Sequence, residues 1–127
     1  MATDDTVLTD DSLTRRPDGL AIALKIPWYR SLWLSSVSGV TVAIDGKPAT
    51  GLTAELNGRT YTIDELGEQS ETLWFLQDRL VIRTPDDPGT DTVDVEVSVA
   101  LRLPYMQIKP GLYVTNHATN RRVLEAR

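Results

Sequence analysis

The sequence predicts an all-β fold: an antiparallel β-sandwich in a single domain, with an irregular C-terminal tail. Three observations carry that reading. Apolar residues recur with a period of two at Leu20, Ile22, Leu24 and Ile26, and again from Val93 to Leu103, which is the side-chain period of a strand. Asn57-Gly58 lies between two stretches whose apolar and polar residues fall on opposite faces when paired across a tight turn. No segment sustains a helical period, and short strands joined by turns imply a sandwich or barrel. One-sided apolar faces, without a barrel-like glycine pattern, favour the sandwich.

Along the chain, residues 1–18 form a polar segment with Asp4, Asp5, Asp10 and Asp11, expected to be frayed at its start and partly flexible. The sandwich is expected over residues 19–106. Its first strand places Leu20, Ile22, Leu24 and Ile26 on one face and Ala21, Ala23 and Lys25 on the other, and Pro27 ends it or marks an edge. Trp28 to Ser35 is the most aromatic stretch and has no clear period. Val40, Val42 and Ile44 alternate with Thr41 and Ala43 and lead into Asp45-Gly46, a tight hairpin turn, while Pro48 keeps the returning strand short or at an edge.

Across Asn57-Gly58 the turn pairs Leu56 with Arg59, Ala54 with Tyr61 and Leu52 with Ile63 on one face, and Glu55 with Thr60 and Thr53 with Thr62 on the other. Thr62 and Glu65 have the spacing of a capping box, with room for one helical turn before Gly67. Leu73 to Leu76 and Arg79 to Thr84 read as two further strands, and Pro85 to Gly89 as a loop. From Val93 to Leu103 the apolar residues face one way and Asp94, Glu96, Ser98 and Arg102 the other, the pattern of a strand with one dry and one wet face. Each buried apolar side chain contributes roughly 1.5–3 kcal/mol before entropy is subtracted. Residues 107–127 show neither repeat, despite Pro110-Gly111 and the apolar Leu112, Tyr113 and Val114. They read as a tail that crosses the domain surface or reaches another chain.

Composition narrows the function. The chain has 127 residues, a net charge of −5 and a pI near 4.7. An acidic chain repels a phosphate backbone unless its basic residues cluster, and only Arg15-Arg16 and Arg121-Arg122 form basic pairs, so no nucleic-acid partner is expected. No apolar run reaches bilayer length and the start lacks a signal-peptide pattern, so the expected location is the cytoplasm, with no membrane partner. The chain has no cysteine, which removes disulfides and thiolate metal sites.

A search for catalytic groups returns little. His117 is the single histidine, short of a usual zinc set and without a partner suggesting general-base work. Asp94 and Glu96 share a strand face but read as solvated charges, Asp86-Asp87 lack the spaced oxygens of an EF-hand loop, and Asp64-Glu65 fit helix capping. There is no nucleophile elbow, phosphate-binding glycine loop or dinucleotide fingerprint. Arg30 between Tyr29 and Trp33 is the most suggestive cluster, because aromatics beside arginine recur at binding hot spots and on sugar faces. The plainer reading places Trp28, Trp33 and Trp74 in the core, with Arg30 paired locally. Three tryptophans exceed what such a core requires.

In order, Gly19-Leu20, Pro27-Trp28-Tyr29-Arg30, Leu34-Ser35, Val42-x-Ile44-Asp45-Gly46, Tyr61-Thr62-Ile63-Asp64-Glu65-Leu66, Trp74, and Val93-x-Val95-x-Val97 through Leu101-Arg102 to Tyr105-Met106 resemble the small (β) subunit of bacterial C-glycoside deglycosidases. The resemblance runs from Gly19 to Met106. Trp28 and Ser31 depart from it, standing where the pattern has a tyrosine and a glycine.

The resemblance implies a hetero-oligomer. Its large (α) subunit would be a sugar-isomerase-like TIM barrel holding a divalent metal, manganese, and carrying the catalytic groups. The complex would be a lyase of carbohydrate metabolism, cleaving the C–C bond between a 3-oxo sugar and an aromatic aglycone such as a flavonoid. The 3-oxo group acidifies the neighbouring C–H, proton abstraction leads to elimination, and a metal can stabilise the enolate. This chain would be a non-catalytic accessory with no cofactor of its own. Trp28, Tyr29, Arg30, Leu32, Trp33 and Tyr105 are the expected partner surface. Rival readings are a stand-alone carbohydrate-binding β-sandwich and an independent hydrolase using a carboxylate pair.

Overall fold

The computed structural model describes residues 7–26, 31–69, 71–75, 77–109 and 112–126, with the backbone alone for 103–109 and 112–116. The chain opens with β1 (Leu13–Arg16), antiparallel to β2 (Gly19–Leu24). Then come β3 (Leu32–Trp33), a 3-10 turn (Leu34–Ser36), β4 (Val37–Ile44), β5 (Lys47–Pro48), β6 (Thr53–Leu56) and β7 (Arg59–Thr62). One helical turn, α1 (Ile63–Leu66), precedes β8 (Leu73–Trp74), β9 (Leu80–Thr84), β10 (Thr92–Lys109) and β11 (Leu112–Glu125).

The strands form a five-stranded sheet in the order β1-β2-β9-β6-β7, a four-stranded sheet in the order β11-β10-β4-β5, and a small β3-β8 ribbon. All the pairings are antiparallel. Leu20, Ile22, Leu24, Leu80 and Ile82 of the first sheet share one buried cluster with Val40, Val42, Val95, Val97 and Val99 of the second. Two sheets closing on one core is the sandwich the alternation predicts. No described helix is long and apolar enough to cross a membrane.

The two hairpins form as read. Asp45 and Gly46 have φ of 50° and 81°, and Asn57 and Gly58 have φ of 53° and 82°, the paired positive values of a type I′ turn. Leu56 faces Arg59, Glu55 faces Thr60, Ala54 faces Tyr61 and Thr53 faces Thr62. The expected Leu52–Ile63 pair does not form. Thr62 caps α1 instead, accepting from the Glu65 N–H while the Glu65 carboxylate accepts from the Thr62 N–H, and this reciprocal box turns Ile63 into the helix. The Leu73–Leu76 stretch is also divided. Among its described residues only Leu73–Trp74 is strand, and it pairs with β3, whereas β9 lies between β2 and β6; Leu76 lies outside the described residues.

Both ends depart from expectation. The fold begins before Gly19, since β1 is a sheet strand and Val7 and Leu8 are wholly buried. The C-terminal stretch expected to be an irregular tail is β11, in continuous register with β10 from Thr92–Glu125 to Leu103–Val114. Its alternation is hidden because the inner face of β11 carries polar residues. Ala118 and Leu124 are buried opposite Val99 and Val93, and between them Asn120 and Arg122 stand opposite Val97 and Val95. The Val7–Asp10 segment satisfies them. The Leu8 N–H donates to Asn120 Oδ1 at 2.7 Å, Arg122 Nη1 donates to the Leu8 carbonyl at 3.1 Å, and Arg122 Nη2 meets Asp10 at 2.5 Å. The same strap reaches the other sheet, where the Lys25 N–H donates to the Val7 carbonyl at 3.0 Å.

Candidate functional site

The β3-β8 ribbon places two of the three tryptophans, Trp33 and Trp74. Leu32 pairs with Trp74 and Trp33 with Leu73. Alternation sends the first pair inward, so that Leu32 and Trp74 are buried. The Trp74 indole N–H donates to the Asp78 carbonyl at 3.0 Å, which satisfies a buried donor and pins the turn after β8. Backbone donation from Leu34 to Thr72 at 2.7 Å and from Ser35 to Gln69 at 3.1 Å ties the ribbon to the segment after α1. On the outer side Trp33 is 46 % exposed, and Phe75, two residues past Leu73, is 41 % exposed. Trp33 on the ribbon and Phe75 just after it are thus large aromatics turned to solvent rather than into the core.

The expected partner residues therefore separate. Trp33 presents its ring to solvent. Leu32 does not: the pleat of a two-residue strand turns it into the core with Trp74, so it offers no side chain to a partner. Trp28, Tyr29 and Arg30 lie outside the described residues. Tyr105 stands on β10, with its side chain outside the described residues. The sequence alone does not single out Phe75, because a strand over Leu73–Leu76 gives no reason for its exposure.

Several carboxylates are held as hydrogen-bond acceptors. Arg15 grips Asp87 with two bonds, Nε to Oδ2 at 2.8 Å and Nη2 to Oδ1 at 2.9 Å, and the Gly89 N–H adds a third at 2.8 Å. The hydrogen bonds from Arg15 hold the Asp87 carboxyl below the usual carboxylate range. Asp86 accepts from the Thr50 N–H at 2.7 Å. Arg121 donates Nη2 to Asp94 Oδ2 at 2.6 Å and lowers that carboxyl too, while the Asp94 N–H donates to Asp45 Oδ1 at 3.0 Å. Glu65 is lowered by the Thr62 N–H of the capping box.

A depression of about 400 Å³ between the β4-β5 hairpin and the 85–89 loop is lined by Asp45, Lys47, Asp86 and Asp87. Of these, Asp87, lowered by its bonds from Arg15, is a poor proton donor at neutral pH. His117 is exposed on β11 opposite Ala100, away from Asp86 and Asp87 in sequence and sheet. Among the described residues no three His, Cys, Asp or Glu side chains converge as metal ligands. Tyr61 carries a different signal: its hydroxyl is buried without a partner among the described residues.

The chain matches the family model of the C-glycoside deglycosidase beta subunit over residues 4–105. A C-glycoside deglycosidase beta subunit of Arthrobacter globiformis is 45 % identical, covering 99 % of this chain and all of the relative. One from Microbacterium trichothecenolyticum is 38 % identical over 75 % of this chain and 76 % of its own length. The 3'-dehydrocarminate deglycosidase beta subunit of a Microbacterium species is 29 % identical over 80 % of each.

Proposed function

The chain belongs to the family of C-glycoside deglycosidase beta subunits, and from that premise we propose that it is the non-catalytic partner of a large subunit in a complex that cleaves the C–C bond of 3-oxo-C-glycosides. The relative named for 3'-dehydrocarminate supports a 3-oxo sugar as the reacting half, and an aromatic aglycone of flavonoid type is the other. The 3-oxo group acidifies its neighbouring C–H, and loss of that proton leads to elimination of the aglycone. The complex is a lyase of carbohydrate metabolism working in the cytoplasm.

The observation that carries this division of labour is the state of the carboxylates: Asp86, Asp87, Asp94 and Glu65 are each committed to structural hydrogen bonds. The described side chains do not fit a divalent ion, so in this reading the manganese belongs to the large subunit, a sugar-isomerase-like TIM barrel. Trp33, with Trp28, Tyr29, Arg30 and Tyr105, forms the partner surface, and Phe75 joins it.

The test is reconstitution. The mixture of this chain with its metal-loaded large subunit turns over a 3-oxo-C-glycoside and loses activity in EDTA, while the melting of this chain alone stays unchanged by EDTA. Turnover by this chain alone overturns the assignment. The exposed Trp33 and Phe75 favour one second reading, a stand-alone sugar-binding platform. Calorimetry of the isolated chain with glycosides separates the two, since tight binding without a partner supports the platform.

A further inference from the structure

β11 is the last strand on its side of the four-stranded sheet. The direction of its backbone groups follows from its neighbour. Asp94, the residue opposite Val123, donates its N–H to Asp45 Oδ1 at 3.0 Å and accepts the Asp45 N–H on its carbonyl at 2.8 Å. Both backbone groups of Asp94 therefore point to the β4 side, away from β11. Asp94–Val123 is then a pair without mutual hydrogen bonds, and Val123 turns its own N–H and C=O outward, to the open edge. The direction alternates along a strand, so Thr119, Arg121 and Glu125 turn theirs outward too. Ala126, of the other parity, donates inward to the Asp91 carbonyl at 3.0 Å. Among the described residues no backbone group meets the outward N–H and C=O of Thr119, Arg121 or Val123. The Val7–Asp10 strap bonds to the side chains of Asn120 and Arg122, and a depression of about 310 Å³ lined by Asp10, Val123, Leu124 and Glu125 opens beside the edge.

The other edges of the two sheets are short. β5 is two residues long and ends in Pro48, and β1 and β7 have four residues each. β11 contains neither glycine nor proline, and its register against β10 holds without a shift from Glu125 back to Val114. A long, regular edge of this kind is a template for another strand. The side chains beside it are self-complementary. Val123 is 69 % exposed, between Arg121 and Glu125 on the same outer face. An antiparallel copy of the strand, set with Val123 on Val123 across a two-fold axis, brings Arg121 opposite Glu125 on both sides of that axis. Opposite charges paired across strands stabilise a register, and like charges destabilise it. Sliding the copies until Arg121 meets Arg121 loses both attractions. The existing Arg121–Asp94 pair engages Nε and Nη2, and Nη1 takes no part in it. On the inner face Arg122 comes opposite Leu124 of the copy, with its charge already met by Asp10.

We propose that β11 is the seam of a homodimer, in which two copies of this chain join their four-stranded sheets edge to edge with Val123 on the two-fold axis. The contact is isologous, so each copy supplies the same edge and the assembly closes at two. Residues 121–125 of the two strands exchange about six backbone hydrogen bonds. A strand of another protein offers the same backbone groups, but the copy is the one whose side chains match this edge at a definite register. The inference concerns the chain by itself and does not depend on the large subunit.

Sedimentation of the intact chain tests it. At about 100 μM the chain should sediment mainly as a dimer and should dissociate on dilution. Val123→Pro removes one outward N–H and leaves the β10 ladder whole, because proline is accepted on an edge strand whose N–H faces solvent. That variant should fold and should lose at least about tenfold in dimer affinity. If it does not fold, Val123→Lys decides: the side chain is exposed, and like charges then meet on the axis. Its dimer affinity should also fall about tenfold, with part of the loss recovered at high salt. An intact chain that stays monomeric at that concentration overturns the seam, as do folded variants that dimerise like the parent. If the intact chain is monomeric and Val123→Pro instead weakens its hold on the large subunit, the edge belongs to that subunit and the homodimer fails.

Discussion

Two hairpins in this chain obey the same hydrogen-bonding rules and differ in what surrounds them. The β6-β7 hairpin keeps one register through its Asn57-Gly58 turn, with Ala54, Leu56 and Tyr61 buried on one side and Thr60 and Thr62 exposed on the other. The β10-β11 hairpin keeps its register only to Leu103–Val114 and then slips twice. The first lies flat on a core and has one wet face, so its sequence alternates. The far part of the second runs past the last pair with β4, Leu101–Val37, and its register no longer holds one phase. Alternation in a sequence thus reports a difference between two faces, not the presence of a strand.

The difference can be broken at either end. Val97 is wholly buried in the near half of β10, and Val97→Asp buries an unpaired charge. It should cost more than about 4 kcal/mol and abolish the cooperative melt. Val123→Asp, on the outer face of the β11 strand of the same hairpin, where the side chain is 69 % exposed, should leave the melt nearly intact, so thermal denaturation of the two variants compares the buried and exposed faces directly. Gly58→Val should cost about 1–2 kcal/mol in a urea titration, because a φ of 82° is hostile to a β-branched residue.

A smaller effect concerns the clamp under the 85–89 loop. The carboxyl of Asp87 is lowered in the folded state by Arg15. Its contribution is therefore complete above the ordinary aspartate range and is lost as the pH falls through the lowered folded value. Arg15→Gln should flatten stability against pH in that acidic window and change its slope little near neutrality. The smallest change is expected for Tyr61→Phe. Removing a buried hydroxyl that has no partner among the described residues should leave stability unchanged or raise it by up to about 1 kcal/mol, measured by the shift of the urea midpoint.

Much of the architecture is legible in the residues, for reasons the hairpins make plain. Positive-φ turn residues and one-sided apolar faces specify β2, β4, β6, β7 and the near half of β10, and the Thr62–Glu65 spacing specifies α1. Where legibility fails, a polar side chain faces inward or an apolar one faces out. Asn120 and Arg122 on the inner face of β11 erase its period, and the strap that satisfies them comes from the opposite end of the sequence. The partner surface is half legible. The aromatic run signals it, but which of Leu32 and Trp33 faces out depends on pairing with β8. Phe75 becomes visible only once Trp74 is placed in the core.

That strap also orders events in time. Leu8 bonds to Asn120 across 112 positions of sequence, and contacts of such long range make a chain slow to fold. Synthesis runs from the other direction, so Leu8 leaves the ribosome long before Asn120 and Arg122 exist. Through that interval two core side chains and an unsatisfied sheet edge are open to solvent, and the sandwich closes only after translation has passed Arg122. A nascent chain stalled before Asn120 should therefore be sensitive to proteases and chaperone-binding, and the same chain released a few residues later should not.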